Sequence, residues 1–154
     1  MALAQSVDDE DALGVAHALA SKVADAVRYE TGMTTDATTA AEALALGMGV
    51  CQDHSHVLIA AARARGLPAR YVSGYLHSTE DGTPHAAAHA WAEVHTGTLG
   101  WVGFDAANRC CPDARYVRLG SGFDATDAAP IVGVATGQGA ESLDVRVQVE
   151  EMDQ

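Results

Sequence analysis

The sequence predicts an α+β domain with a largely antiparallel sheet. Two observations carry that expectation: apolar residues recur at helical spacing ahead of Pro68, and the period changes from 3.6 to 2 after it. The third is size. At 154 residues, with 48% hydrophobic and 19% charged positions, the chain is one globular domain's worth and can bury a sizeable core. Residues 1–9 read as a loose acidic lead-in, 10–150 as a single domain and 151–154 as a tail.

From Glu10 to about Tyr29, Leu13, Ala16, Ala20, Val23 and Val27 mark an amphipathic helix closed by Gly32. Residues 34–38 read as a loop. Thr39-Ala40-Ala41-Glu42 has the capping-box pattern that opens a short helix ending near Gly47. Gly47-Met48-Gly49-Val50-Cys51 then leads into a long helical run. Val57 to Ala62 is apolar on every side, which places this helix at the centre of the domain, and Gly66-Leu67-Pro68 stops it. Cys51 lies within about a turn of its start. Strands are expected at Ala69–Leu76, Ala88–Val94 and Trp101–Asp105, with a short one at Tyr116–Leu119. Ile131–Ala135 reads as extended and Leu143–Val149 as a last alternating strand, while His77–Pro84 and Gly120–Pro130 read as loops.

Charge and composition exclude several classes of function. Twenty-one acidic residues against nine basic ones give a net charge of -12, the wrong sign for tracking nucleic-acid phosphates. No apolar run approaches the ~18 residues of a membrane span, and Met1–Ser6 has no basic leader pattern, so a soluble, cytoplasmic protein is expected. Three cysteines, Cys51, Cys110 and Cys111, make no disulfide framework. Cys51-x-x-His54, His54-x-His56 and His85-x-x-x-His89 have ligand-like separations. The last spans loop and strand, however, and no Cys-x-x-Cys is present, so neither a metal nor a cofactor is expected.

Chemistry enters at Cys51. The free N–H groups and dipole of a helix N-terminus stabilise an anion, so a thiol there ionises more easily. On position alone, Cys51 is equally well a small buried hydrophobe. The glycines ahead of it would let a substrate backbone approach closely. His89 shifts that balance. If Ala88–Val94 and Trp101–Asp105 form a hairpin across residues 96–100, Trp91 falls opposite Asp105 and Glu93 opposite Gly103, with His89, Trp91 and Asp105 on one face. His89 and Asp105 become diagonal neighbours, roughly 7–8 Å apart between backbones and within side-chain reach. A carboxylate there holds an imidazole in one tautomer. The opposite face, Ala88, Ala90, Ala92 and Val94, is small and apolar. Asp53 reads as a cap or dipole partner of the helix start whose charge also opposes a thiolate. His56 reads as a buried, hydrogen-bonded core histidine, and Trp91 and Trp101 as core or cleft-wall aromatics.

Gly47-Met-Gly-Val-Cys51-Gln-Asp-His-Ser-His56, Gly66-Leu-Pro-Ala-Arg-Tyr-Val-Ser-Gly-Tyr75, His89-Ala-Trp91 and Trp101-Val-Gly-Phe-Asp105 together resemble the transglutaminase-like superfamily of bacterial proteins, over about residues 29–149. The resemblance implies a papain-like arrangement, a central helix headed by a nucleophilic thiol and packed on an antiparallel sheet. It implies Cys51 as nucleophile, His89 as general base and acid, and Asp105 as the orienting carboxylate. The thiolate attacks an amide carbonyl, the imidazolium protonates the departing amine, and water or a second amine resolves the thioester. The substrate class so implied is a protein or peptide amide, a glutamine side chain or a peptide bond. The Cys51 N–H is the natural oxyanion donor, and Gln52, Tyr29 and Trp91 are further candidates for oxyanion or substrate binding. Of these, Tyr29 reads first as a core tyrosine at a helix end and only second as a site residue.

The sequence departs from the family in three places. Only fifty residues precede Cys51, where members often carry a β-rich segment, which points to a minimal version or a fragment. His54 stands where an aromatic residue is commoner, and Asn108-Arg109-Cys110-Cys111 replaces a Gly/Asn-containing loop. Hydrolysis and acyl transfer share every residue named; hydrolysis is placed first because no lysine- or amine-binding cleft is marked. The competing class is a non-catalytic binding or scaffolding module on the same fold. The sequence sets no oligomeric state.

Overall fold

The computed structural model describes residues 2–5, 11–78 and 88–132. Within the expected lead-in, Ala2–Gln5 forms a one-turn helix, α1, whose Ala4 is buried and whose carbonyl accepts from Arg65. Helix α2 (Ala12–Ala26) begins at Asp11, whose side chain accepts the Gly14 N–H, and buries Val15, Ala16, Leu19 and Val23. It stops earlier than its apolar spacing suggested. Val27 turns extended, and Arg28–Tyr29 (β1) pair in parallel with Met48–Gly49 (β2). The Gly47 and Gly49 carbonyls take the Arg28 and Glu30 N–H groups, a strand pairing that wins over further helix.

Helix α3 (Ala40–Leu46) carries the expected box, with Thr39 and Glu42 each satisfying the other's backbone N–H, and Gly47 closes it in the left-handed region at φ 69°. Helix α4 (Cys51–Ala64) follows at once. Its Val57, Leu58, Ile59, Ala61 and Ala62 are buried, packed between the other helices and the sheet. Gly66 at φ 77° ends it: its N–H returns to Arg63 and that of Leu67 to Ala62, the paired bonds of a Schellman turn.

The main sheet has the order β5-β4-β3-β6 and is antiparallel throughout, built from β3 (Ala69–Leu76), β4 (Ala88–His95), β5 (Trp101–Phe104) and β6 (Tyr116–Gly122). Ala69, Tyr71, Ala90, Ala92, Val94 and Phe104 join the α2 and α4 side chains in one core. Strand β6 extends past Leu119 into residues whose glycines suggested a loop. Those glycines serve close packing instead: a Cβ on Gly120 would lie 2.8 Å from the Ala128 carbonyl, and one on Gly122 2.6 Å from the Asp127 carboxylate. The extended stretches expected at 133–135 and 143–149, and most of the loop after His77, lie outside the described residues.

Candidate active site

Cys51 is the first residue of α4. As such its N–H has no partner within the helix and points out of the helix start. Asp53, buried two residues on, folds back to accept the Val50 N–H at 2.8 Å and the Thr34 hydroxyl at 2.7 Å. That fold-back gives Gly49 its reason. A Cβ there would sit 2.6 Å from the Asp53 carboxylate, so the glycine makes room for the helix start itself rather than for a ligand's backbone.

The second half of the site comes from the β4–β5 hairpin. Its register pairs Ala92 with Phe104, Glu93 with Gly103, Val94 with Val102 and His95 with Trp101, the parity expected from the connection 96–100. A turn of 3₁₀ helix (Gly97–Leu99), with Gly97 at its start and Gly100 just after it at positive φ, closes the hairpin without shifting that parity. His89 and Asp105 therefore share a face, and their side chains meet. Nε2 of His89 donates to Oδ2 of Asp105 at 2.5 Å, with both residues buried. The Cys51 side chain lies close enough to the imidazole to act on its charge. Burial alone would pull the His89 imidazole down, but its bond to Asp105, with the influence of Asp105 and Cys51 on its charge, outweighs burial and pushes it up to about 9. Burial raises the Asp105 carboxyl, yet the donors around it, led by His89 and followed by Tyr116 and Asn108, hold it below the usual carboxylate range.

Two of those donors are not among the site residues expected from sequence. Asn108 reaches Asp105 twice, its backbone N–H to Oδ1 at 3.1 Å and its side-chain amide to Oδ2 at 2.8 Å. Tyr116 donates its hydroxyl to the same Oδ2 at 2.8 Å. Asn108 was detectable in principle, since an Asp-x-x-Asn run suits a turn in which the carboxylate takes the N–H three residues on. Tyr116 comes from a strand whose register the sequence does not fix.

The remaining candidates separate. Trp91 is buried, 6.3 Å from the His89 ring and 5.4 Å edge-on from Tyr116, so it walls the imidazole from behind. Tyr29 is not a core tyrosine: it is 48% exposed, pairs with Gly49 two residues ahead of the thiol, and lies close enough to feel the charges of Cys51 and Asp105. Burial first and those charges second push its hydroxyl up. Gln52 turns its amide to the Asp36 carbonyl at 3.4 Å. His56 is half-buried and packs on the Tyr71 ring at 5.0 Å, but its buried Nε2 meets no hydrogen-bond partner among the described residues, which departs from the expected buried, hydrogen-bonded core histidine. Trp101 lies on the surface, under the Arg70 guanidinium at 4.1 Å. No three His, Cys, Asp or Glu side chains converge as a metal site among the described residues.

A family model for the transglutaminase-like superfamily matches residues 1–106. The chain belongs to the transglutaminase-like superfamily. An uncharacterized protein of Mycobacterium leprae is 39% identical over 125 residues, 79% of this chain and 44% of that protein. An uncharacterized protein of Mycobacterium tuberculosis is 39% identical over 143 residues, 85% of this chain and 45% of its own length. This transglutaminase-like chain thus spans less than half the length of the curated relatives it matches. Among solved structures, one titled a putative cysteine protease from Cytophaga hutchinsonii superposes with a TM-score of 0.69 at 32% identity, over 81% of this chain and 40% of that one. Legionella pneumophila LapG shares the fold at 15% identity and a TM-score of 0.61, over 84% of this chain and 80% of its own.

Both local departures from the family pattern have structural accounts. His54 is buried with a backbone carbonyl at each nitrogen, Val50 at 2.8 Å from Nδ1 and Val27 at 2.7 Å from Nε2, so it ties the start of α4 to the end of α2. Arg109 occupies the left-handed region at φ 55°, a conformation that favours Gly or Asn. Its guanidinium reaches the Ala24 carbonyl at 2.9 Å and the Asp25 carboxylate at 2.8 Å, holding the turn after Asp105 against α2.

Proposed function

We propose that this domain performs thiol-dependent amide chemistry, with Cys51 as nucleophile, His89 as the acid and base, and Asp105 as the group that orients and charges the imidazole. The observation that supports this reading most is the buried contact between His89 and Asp105, on an imidazole whose charge the nearby Cys51 also influences. With Nε2 given to Asp105, Nδ1 is the nitrogen left for the sulfur. In the forward step, the sulfur attacks the amide carbonyl carbon and the electron pair moves to oxygen, where the Cys51 N–H at the helix start stabilises it. The imidazolium then gives its proton to the nitrogen as the C–N bond breaks, releasing amine and leaving a thioester. Water, with His89 as base, returns acid and free thiol.

The substrate class is a protein or peptide amide. Hydrolysis is placed ahead of transfer to a second amine because a neighbour at 32% identity carries a cysteine-protease title. Tyr29, on the exposed rim beside the thiol, is the candidate substrate contact, with Gln52 adjacent to it and Trp91 as supporting wall. The three unpaired cysteines suit a reducing, cytoplasmic compartment.

The test is the rate of iodoacetamide labelling at Cys51 as a function of pH, in the parent and in His89→Ala. Labelling that is fast at neutral pH and slows at least tenfold without the imidazole supports the reading. Equal rates in both proteins would leave a binding module on this fold as the better account. Glutamine-containing peptides, with and without added primary amine, then separate hydrolysis (ammonia or peptide release that ignores the amine) from transfer (amine incorporation).

A further inference from the structure

We propose that Tyr116 is a positioning residue of the thiol site, holding the Asp105 carboxylate in place against His89. The inference rests on the roles given above to Cys51, His89 and Asp105. Oδ2 of Asp105 collects three donors: His89 Nε2 at 2.5 Å, the Asn108 amide at 2.8 Å and the Tyr116 hydroxyl at 2.8 Å. The Tyr116 ring packs 5.8 Å from that of His89 and stands edge-on to Trp91 at 5.4 Å. One side chain thus fixes both halves of the pair, the phenol capping the carboxylate and the ring flanking the imidazole.

The direction of each hydrogen bond follows from the chemistry of the groups. Asp105 is a carboxylate and can only accept, so the single phenol proton is committed to it. Burial, reinforced by the charge of Asp105, pushes the Tyr116 hydroxyl up and keeps that proton in place. The phenol oxygen is then free to accept, and the Cys110 sulfur lies 3.2 Å away. Burial pushes the Cys110 thiol up as well, so it stays protonated and donates. The result is a directed chain from Cys110 through Tyr116 to Asp105, meeting the donor from His89 on the same oxygen.

The backbone secures this arrangement. Tyr116 opens β6 opposite Leu76, and its N–H closes a turn onto the Asp113 carbonyl at 3.0 Å, a turn braced by Arg115 on Asp113. Across the strand pair, Gly74 leaves space that a Cβ would take from the Trp91 ring at 2.7 Å.

A donor on a carboxylate oxygen draws off negative charge that would otherwise stabilise the imidazolium. Deleting the phenol oxygen therefore leaves Asp105 pulling harder on the His89 proton. The charged and titratable groups facing His89 are Asp105 after β5, Cys51 from α4 and Tyr116 from β6, with Cys110 behind Tyr116. Only the phenol and the groups it touches change in Tyr116→Phe.

The experiment follows the His89 ring nitrogens by NMR against pH in the parent, Tyr116→Phe, Cys110→Ala, Asp105→Asn, and Tyr116→Phe combined with Asp105→Asn. The expected result is a His89 midpoint raised by about half a pH unit to one unit in Tyr116→Phe, the size of one modest hydrogen bond. Cys110→Ala moves it the same way by less, because an unassisted phenol is a weaker donor. The combined variant matches Asp105→Asn alone. Turnover of a peptide amide by Tyr116→Phe falls about tenfold in kcat with KM little changed. A parent-like midpoint in both single variants overturns the proposal, and so does an equal shift with Asp105 already neutral. The titration needs no turnover, so it is separable from the thiol reading: labelling of Cys51 that ignores His89 defeats the latter, while an unmoved midpoint with His89-dependent labelling defeats only this inference.

Discussion

At the scale of single residues, the proposed chemistry depends on a histidine that remains charged in a place where burial alone would neutralise it. Asp105, joined by the nearby Cys51, reverses the effect of burial and pushes His89 up to about 9. Activity that needs the imidazolium to protonate a leaving amine therefore falls as pH rises through about 9, the alkaline limb of a kcat/KM profile. Asp105→Asn removes the larger partner but leaves a group of the same shape among Asn108, Tyr116 and His89. Burial then prevails, the limb moves to lower pH, and kcat drops by about 10²–10⁴. A pH-rate profile of the two proteins on one peptide amide checks both points. A limb that stays near 9 in the asparagine variant would assign it to another group.

At the scale of elements, two glycines set the site by what they leave empty. Gly49→Ala puts a methyl into the Asp53 carboxylate and forces it off the Val50 N–H, loosening the first turn of the helix that carries the thiol. The expected cost is about 1–3 kcal/mol in urea unfolding, together with slower labelling of Cys51. Gly74→Ala is more severe. Its Cβ would meet the Val117 carbonyl at 2.1 Å and the Trp91 ring at 2.7 Å, backbone on one side and a packed indole on the other. Loss of about 3 kcal/mol or more, with a changed tryptophan fluorescence, is the outcome to look for. These elements also show what the sequence could and could not say. The β4–β5 register followed from the parity of a five-residue connection, and with it the meeting of His89 and Asp105. The α3 cap followed from four residues, and the centrality of α4 from an apolar run with no polar side. Tyr116 did not follow, because β6 pairs with β3 through an irregular register between Ser73 and Gly74, and no local pattern encodes a non-local register. The end of α2 was misjudged for the same reason. Val27 satisfies the helical spacing, and only the pairing of β1 with the distant β2 turns the chain out of the helix.

At the scale of the whole molecule, the buried pair links stability to pH, and the sign differs on the two sides. His89 sits above its unfolded value of ~6.5, so its contribution is fully present below that pH and is lost as pH rises through about 9. Asp105 sits below its unfolded value of ~3.9, so its contribution is present above that pH and is lost as pH falls through the lower folded value. The two contributions overlap on a plateau between about pH 4 and 6.5. A chain with a net charge of -12 repels itself more as pH rises, and that slope is shared by every variant. Comparison with His89→Gln removes it. The parent should melt higher than the glutamine variant across the plateau by an amount on the order of 1–3 kcal/mol, each worth roughly 2–4 °C of Tm in a domain this size. The gap should close progressively between pH 6.5 and 9 as the parent's imidazolium loses its proton. Calorimetry at pH 6 and at pH 9.5 decides it: a Tm difference that is the same at both values would mean that the ion pair, whatever it does for the thiol, contributes nothing that depends on its charge to holding the domain folded.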